Sequence, residues 1–279
     1  MKIFLTGASG FLGKNLIKEA IKKGHFIYAP SRKKKNTKYK NVKWLFGSFN
    51  DNWKAQLRDS DVLVHLAAAG VNNKTISFND AFKVNVTMSL KLLLNALRFK
   101  CNNWVIVGSS SEYGKSAIKK KKLTIYSKIL PETNYEVTKA IFSFLSFNLA
   151  KKNKCNYRLM RLFPTYGPGE SKKRLWSSLR KASRSKKKFY MTKGDQVWDF
   201  IHVKQAAISI LQAAESIKSQ KKFQQIWHIA SGQPTTIKAF AQKIWKKNGS
   251  QGRLMFGKLK KRDNKNYISD KKFIWNFGK

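Results

Sequence analysis

The chain has 279 residues, 42% apolar and 13% aromatic, which is enough for one large domain or for a domain with a smaller lobe. Its 58 Lys and Arg against 14 Asp and Glu give a net charge of +44, which predicts attraction to polyanions at low salt. No zinc-finger spacing and no RNA-binding aromatic signature accompanies that charge, so no specific nucleic-acid partner is expected, and the scattered lysine runs ("SRKKKNTKYK", "IKKKKL", "KLKKRDNKNY") read as solvated faces. The two cysteines, Cys101 and Cys155, form neither a disulfide framework nor a metal-ligand pair, which points to a reducing compartment and no metal site. The apolar run before Thr6 is too short for the core of a signal peptide, and no segment reaches the length of a membrane span. A cytoplasmic protein with no membrane association is the expectation.

In chain order, "KIFLT" is a short apolar strand, "GASGFLG" a turn, and "FLGKNLIKEAIKKG" an amphipathic helix with Phe11, Leu12, Leu16, Ile17, Ala20 and Ile21 on its apolar stripe and Gly24 at its end. Strands follow at "HFIYAPS" and "VKWLF", a short helix at "NWKAQLRD", a strand at "DVLVHLAAAG", a helix from about Asn79 to Phe99, and a strand at "NWVIVGSSS". A further helix carries "NYEVTKAIF", and "YRLMRLF" is the next strand. This alternation predicts a Rossmann-like α/β fold, a doubly wound parallel sheet covered on both faces. Beyond "PTYGPGE" the alternation loosens into helices near 172–183, 203–216 and 236–247, which suggests a dinucleotide-binding domain over residues 1–163. Residues 164–279 then form a smaller mixed substrate lobe, with some segments returning to the first domain.

Gly7, Gly10 and Gly13 of "TGASGFLG" lie between a strand and a helix, where glycine permits a tight turn and close approach of a pyrophosphate to the positive helix end. The second strand ends in "APSRKKK" and lacks the acid that would hold the ribose hydroxyl of NAD; Ser31 and Arg32 suit the 2'-phosphate of NADP instead. Tyr135 and Lys139 are four residues apart on one helix face, so the ammonium is expected to lower the phenol's pKa. His65, in an apolar strand, reads as packed, and His202 reads as a strand residue.

Together these stretches resemble the extended short-chain dehydrogenase/reductase family, the NAD(P)-dependent epimerases, dehydratases and reductases of nucleotide sugars. "TGASGFLG" is similar to its cofactor loop, "DVLVHLAA" to its fourth strand, Asn85 in "FKVNV" to its helix asparagine, and "GSSSEYG" to its active-site strand. "NYEVTK" is similar to its Tyr-x-x-x-Lys pair, "RLFPTYGPGE" to its substrate-loop entry and "WDFIHV" to the strand opening its smaller lobe. The resemblance implies catalysis by Ser109, Tyr135 and Lys139, with Tyr135 moving the proton at a sugar oxygen and Lys139 also bonding the nicotinamide ribose. It implies cofactor contacts from Gly7, Gly10, Phe11, Leu12, Gly13, Ser31, Arg32, Leu66, Ala67, Ala68, Asn85, Tyr135, Lys139 and Phe163. Substrate contacts are implied for Ser110, Ser111 and Arg262. Ser110 could substitute for Ser109, and Ser111 reads equally as a turn hydroxyl.

Ser110 and Ser111 stand where the family's 4,6-dehydratases carry Asp-Glu, which disfavours dehydration. Trp198 replaces the usual arginine before Asp-Phe, and "GSF" replaces the "GD" that holds adenine, leaving Ser48 as a weaker contact. The implied function is NAD(P)-dependent reduction of a 4-keto nucleotide sugar, with NADP preferred over NAD. A 4-epimerase is the alternative within the family, and a polyanion-binding protein with a vestigial site the alternative from another class. The family's habit also implies a homodimer, built on the helix from about Asn79 and the Tyr135 helix, with Phe142, Phe144 and Leu145 facing outward.

Overall fold

Strand β1 (Lys2–Thr6) sends Ile3 and Leu5 to one side and Phe4 to the other, and all three are buried. A strand apolar on both sides must be covered on both, and fully burying each such side chain contributes roughly 1.5–3 kcal/mol. The rest of the chain supplies the two layers. The structure, a computed structural model, describes residues 1–35, 39–71, 76–118, 121–185, 188–219, 224–249, 252–260 and 264–275.

After β1 come α1 (Phe11–Lys22), β2 (Phe26–Ser31), β3 (Val42–Phe46), α2 (Lys54–Arg58) and β4 (Val62–His65). The helix expected from about Asn79 is made of α3 (Phe78–Phe82), a π-helical turn (Lys83–Met88) and α4 (Ser89–Arg98). Next are β5 (Asn103–Ser109), a 3-10 turn (Ser110–Tyr113), α5 (Asn134–Lys152), β6 (Asn156–Leu162), β7 (Thr165–Tyr166) and α6 (Leu175–Ser183). The remaining elements are β8 (Phe189–Tyr190), β9 (Val197–Trp198), β10 (Ile201–His202), α7 (Val203–Glu215), β11 (Gln224–Ile229), β12 (Thr235–Thr236), α8 (Ile237–Lys247) and β13 (Leu254–Met255).

Seven strands form one parallel sheet in the order β11-β6-β5-β4-β1-β2-β3. This is the expected Rossmann-like α/β fold. Ile3 and Leu5 pack with Leu16, Ile17 and Ala20 of α1 and with Ile210 and Leu211 of α7, while Phe4 packs with Leu92, Leu93 and Ala96 of α4 and Phe142 of α5. The strand order reverses between β1 and β4, and ligands of open α/β sheets bind at such a switch point, beyond the carboxyl ends of the strands. Over that end lie α6, α8 and the short strand pairs, held by a cluster that includes Leu179, Phe240, Ile244 and Trp245. No helix among the described residues is long and apolar enough to cross a membrane.

Candidate active site

Gly7 follows β1 at φ +69, a conformation that favours glycine, and a Cβ there would lie 2.8 Å from Ala67 N and 2.9 Å from the Leu66 carbonyl carbon. Leu66 and Ala67 are thereby placed against the loop. Their amides donate to Thr6 Oγ1 at 3.2 Å, and the same hydroxyl pairs with His65 Nδ1 at 2.7 Å. His65 Nε2 meets Ser89 Oγ at 3.0 Å, so this histidine is a packed, doubly bonded residue, and burial, aided by the Lys139 charge, pushes its pKa down to about 3. Gly13 is the tightest glycine of the three, since a Cβ would come 2.6 Å from Ala8 Cα and closer still to the Gly7 carbonyl.

Gly10 behaves differently from the other two. Its φ of −76 and ψ of 177 are ordinary extended values, so the positive φ belongs to Gly7. Gly10 is the N-cap of α1, and it offers neither a side-chain cap nor an acid in the first turn. No side-chain cap and no first-turn carboxylate therefore competes for the first amides of this helix, which fits a pyrophosphate. Phe11 and Leu12 are half-buried beside them, and a Cβ on Gly169 would lie 3.7 Å from Phe11 Cδ2.

At the end of β2, Ser31 Oγ donates to the Lys33 carbonyl at 2.8 Å, which turns the basic run back on itself and leaves Arg32 exposed. Beyond β3 the Ser48 amide donates to Asp51 Oδ2 at 2.7 Å. Asp51 thus brings a carboxylate to the loop where the motif lacked one. Its signal in the sequence is the three-residue spacing Ser48 to Asp51, typical of a turn closed by an aspartate side chain.

Ser109 ends β5 and caps the 3-10 turn, and its Oγ accepts the Ser111 amide at 3.2 Å and pairs with Ser111 Oγ at 2.7 Å. Ser110 is buried. Tyr135 is the second residue of α5, which starts from Thr133 in a capping box closed by Glu136. Ser109, at the strand end, acts on the Tyr135 phenol at the helix start in the direction that lowers its pKa. Burial nevertheless pushes the Tyr135 pKa up to about 12, against the lowering by Ser109; the Glu112 charge raises it further and the Arg174 charge lowers it. The pKa lowering expected from Lys139 is therefore absent. Lys139 is buried, its ammonium donates to the Val107 carbonyl at 2.8 Å, and burial lowers its own pKa.

Asn85 lies in the π-helical turn and is also buried. Its Oδ1 accepts the Ala69 amide at 2.7 Å, while its Nδ2 donates to the Ala69 carbonyl at 3.1 Å and to Thr138 Oγ1 at 3.0 Å. It ties the loop after β4, with Ala68, to α5. Gly70, at φ +87, is a residue the motif reading missed: a Cβ there would lie 3.3 Å from Tyr135 Cδ2. Arg174, paired with Glu170 at 3.1 Å, was missed likewise, because only folding brings its charge toward Tyr135.

Phe163 has its ring in the core cluster with Tyr113 and Tyr267, 4.9 Å from the His228 ring centroid. Trp198 packs against Phe200 and Tyr267 and donates from Nε1 to the Lys265 carbonyl at 2.9 Å. Arg262 lies outside the described residues. Cys101 and Cys155 are buried free thiols whose pKa values burial raises to about 12 and about 11, which makes them poor nucleophiles.

Residues 3–230 match the family described as the NAD dependent epimerase/dehydratase family. Among curated proteins, CDP-abequose synthase of Salmonella typhimurium is 25% identical over 94% of this chain and 86% of its own length. The dTDP-6-deoxy-L-talose 4-dehydrogenase (NAD(+)) of Aggregatibacter actinomycetemcomitans is 22% identical over 88% of this chain and 89% of its own. Among solved structures, MoeE5 in complex with UDP-glucuronic acid and NAD superposes with a TM-score of 0.85 at 22% identity, covering 100% of this chain and 95% of that one. The UDP-N-acetylglucosamine 4-epimerase of Methanobrevibacter ruminantium M1 gives 0.84 at 21% identity, covering 96% and 89%. The match over residues 3–230, most of the chain, shows that it belongs to the NAD dependent epimerase/dehydratase family.

Proposed function

We propose that the protein is an NAD(P)-dependent oxidoreductase that reduces a 4-keto nucleotide-linked sugar, with Tyr135 as the proton donor. The observation that carries this reading is the Tyr135 phenol at the start of α5, held by burial at a pKa raised to about 12. Such a phenol is protonated at neutral pH and suited to give a proton to a developing alkoxide, whereas it is a weak base for the first step of an epimerisation. Ser110 and Ser111 in place of an acidic pair argue against dehydration. The curated relatives include a synthase of a CDP-linked sugar and a 4-dehydrogenase of a dTDP-linked sugar, and solved structures of similar fold carry NAD and UDP-sugars.

A nicotinamide dinucleotide, when bound, supplies the hydride. Gly7, Gly10 and Gly13 with the first amides of α1 would hold its pyrophosphate. Leu66, Ala67 and Ala68 would line its path along the sheet edge, and Lys139 would hold its ribose near Tyr135. We assign NADP as the preferred form, because Arg32 is exposed at the end of β2 where no acid stands. Ser110, Ser111 and Arg262 are assigned to the substrate. Leu94 of α4 and Phe144 of α5 are exposed by 50% and 58%, and we assign them to a homodimer face; Phe142, expected there, is 1% exposed and packs inside.

The test incubates the enzyme with a panel of CDP-, dTDP-, UDP- and GDP-linked 4-keto sugars and NADPH or NADH. Product masses and nicotinamide absorbance are followed. Consumption of one reduced cofactor per product, faster with NADPH, is expected. Redox-neutral interconversion with cofactor retained through purification would make the protein a 4-epimerase. Salt-dependent retention on nucleic acid with no turnover of any sugar would favour the polyanion-binding reading.

A further inference from the structure

Glu112 stands between the serines and Tyr113 of "GSSSEYG", and its side chain is 0% exposed. A buried carboxylate survives only with a cation and with donors for its lone pairs. Glu112 has both, drawn from three elements. Oε1 accepts the Ser109 amide at 2.7 Å, and Oε2 accepts Ser143 Oγ at 3.1 Å and Arg161 Nε at 3.0 Å. Arg161, from β6, is itself buried and donates from Nη1 to the Tyr113 hydroxyl at 3.0 Å, with its guanidinium 4.9 Å from that ring's centroid. The Tyr113 hydroxyl meets His228 Nε2 at 2.6 Å, so the cation is anchored as far as β11.

Tyr135, Lys139 and Ser143 are spaced by four and share one face of α5. The carboxylate that grips the Ser109 amide thus also grips the face that carries the phenol and the ammonium. Gly108 fits the same device, because a Cβ there would lie 2.6 Å from Glu112 Oε1.

We propose that Glu112, clamped by Arg161, is a positioning residue that fixes the end of β5 against α5 and so sets where Ser109 stands relative to Tyr135. The proposal rests on the reading of Tyr135 as the proton-transfer residue. Its carboxylate also acts electrically, since its charge raises the pKa of both Tyr135 and Lys139.

Two variants test this in the holoenzyme. Ser143→Ala cuts only the bond to the helix and leaves the Glu112–Arg161 pair whole. Glu112→Gln keeps the shape and an acceptor for the Ser109 amide but removes the charge. Each is labelled at the tyrosine ring carbon that bears the hydroxyl, and the Tyr135 resonance is identified by its loss in Tyr135→Phe. Ser143→Ala is expected to move that resonance and to lower kcat on the order of tenfold with KM and cofactor affinity nearly unchanged, since small misplacements are costly. Glu112→Gln is expected to move the alkaline limb of kcat to lower pH, because the phenol loses a neighbouring negative charge.

A folded Ser143→Ala with an unmoved Tyr135 resonance and wild-type kcat overturns the proposal, whether or not Glu112→Gln folds. A wild type that reduces no keto sugar, yet whose Tyr135 resonance moves in Ser143→Ala, supports the positioning role and sinks the reaction assigned above.

Discussion

The hydroxyl of Tyr135 is the smallest unit on which the assigned chemistry depends, and Tyr135→Phe removes it while the ring keeps its packing beside Gly70. General acids contribute ~10²–10⁴-fold, so turnover should fall at least a hundredfold with cofactor affinity retained. A pH–rate profile of both proteins checks this, and near-wild-type turnover in the variant would make the tyrosine structural. The glycines make a second residue-level contrast. Gly13→Ala forces a methyl against the backbone of Gly7 and Ala8, which cannot yield as a side chain can, and is expected to cost roughly 1–3 kcal/mol with loss of cofactor binding. Gly10→Ala meets only the Gly7 carbonyl, at 3.1 Å, so its fold should survive while the methyl crowds the pyrophosphate. Calorimetric titration with NADP and thermal melts of the two variants separate these outcomes. The spacing of these glycines and of Tyr135 and Lys139 was legible because local geometry dictates it. The direction of the Tyr135 pKa was not, since it depends on burial and on a lysine turned to the Val107 carbonyl of another element.

Among the elements, α5 carries Tyr135 and Lys139, and its start is secured by a capping box. Thr133 Oγ1 accepts the Glu136 amide at 3.3 Å, and Glu136 Oε2 accepts the amides of Glu132 and Thr133. The Thr-x-x-Glu spacing in "ETNYE" announces this box in the sequence. Nothing local announces Lys265, which reaches across 129 positions to place its ammonium 2.7 Å from Glu136 Oε1. The π-helical turn at Asn85 was equally hidden, because the apolar pattern of that stretch reads as one helix while the bonds to Ala69 and Thr138 fix a local departure from it. Thr133→Ala should cost about 1 kcal/mol, the usual worth of an N-cap. Lys265→Met should cost more, about 3–5 kcal/mol, because it strands the buried Glu136 carboxylate. Urea unfolding of both variants measures the order, and equal losses would show that Lys265 adds only a surface pair.

For the molecule as a whole, the +44 charge makes acid a threat, and two buried imidazoles set where stability begins to fail. His65 is held between Thr6 and Ser89, and His228 between Tyr113 and Ser269. Burial pushes each down to about 3, helped by the charge of Lys139 on His65 and of Arg161 on His228. In the unfolded chain both would titrate near the ordinary value of about 6.5. The folded pKa is depressed, so the unfolded state binds more protons below that value, and stability present above about pH 6.5 is lost as the pH falls toward 3. Each histidine then removes about 1.4 kcal/mol per pH unit, or about 2 kcal/mol by pH 5. Asp199 and Glu170 act in the opposite sense, since burial raises their pKa. Urea unfolding at about pH 7 and pH 5 should therefore show a loss of about 4 kcal/mol. In His228→Gln, whose amide can keep one bond to Tyr113, the loss between the two pH values should be roughly halved even though the variant is less stable at both. A wild type equally stable at the two pH values would mean that these imidazoles take up protons in place, and that the bonds to Tyr113 and Thr6 are made by imidazolium ions.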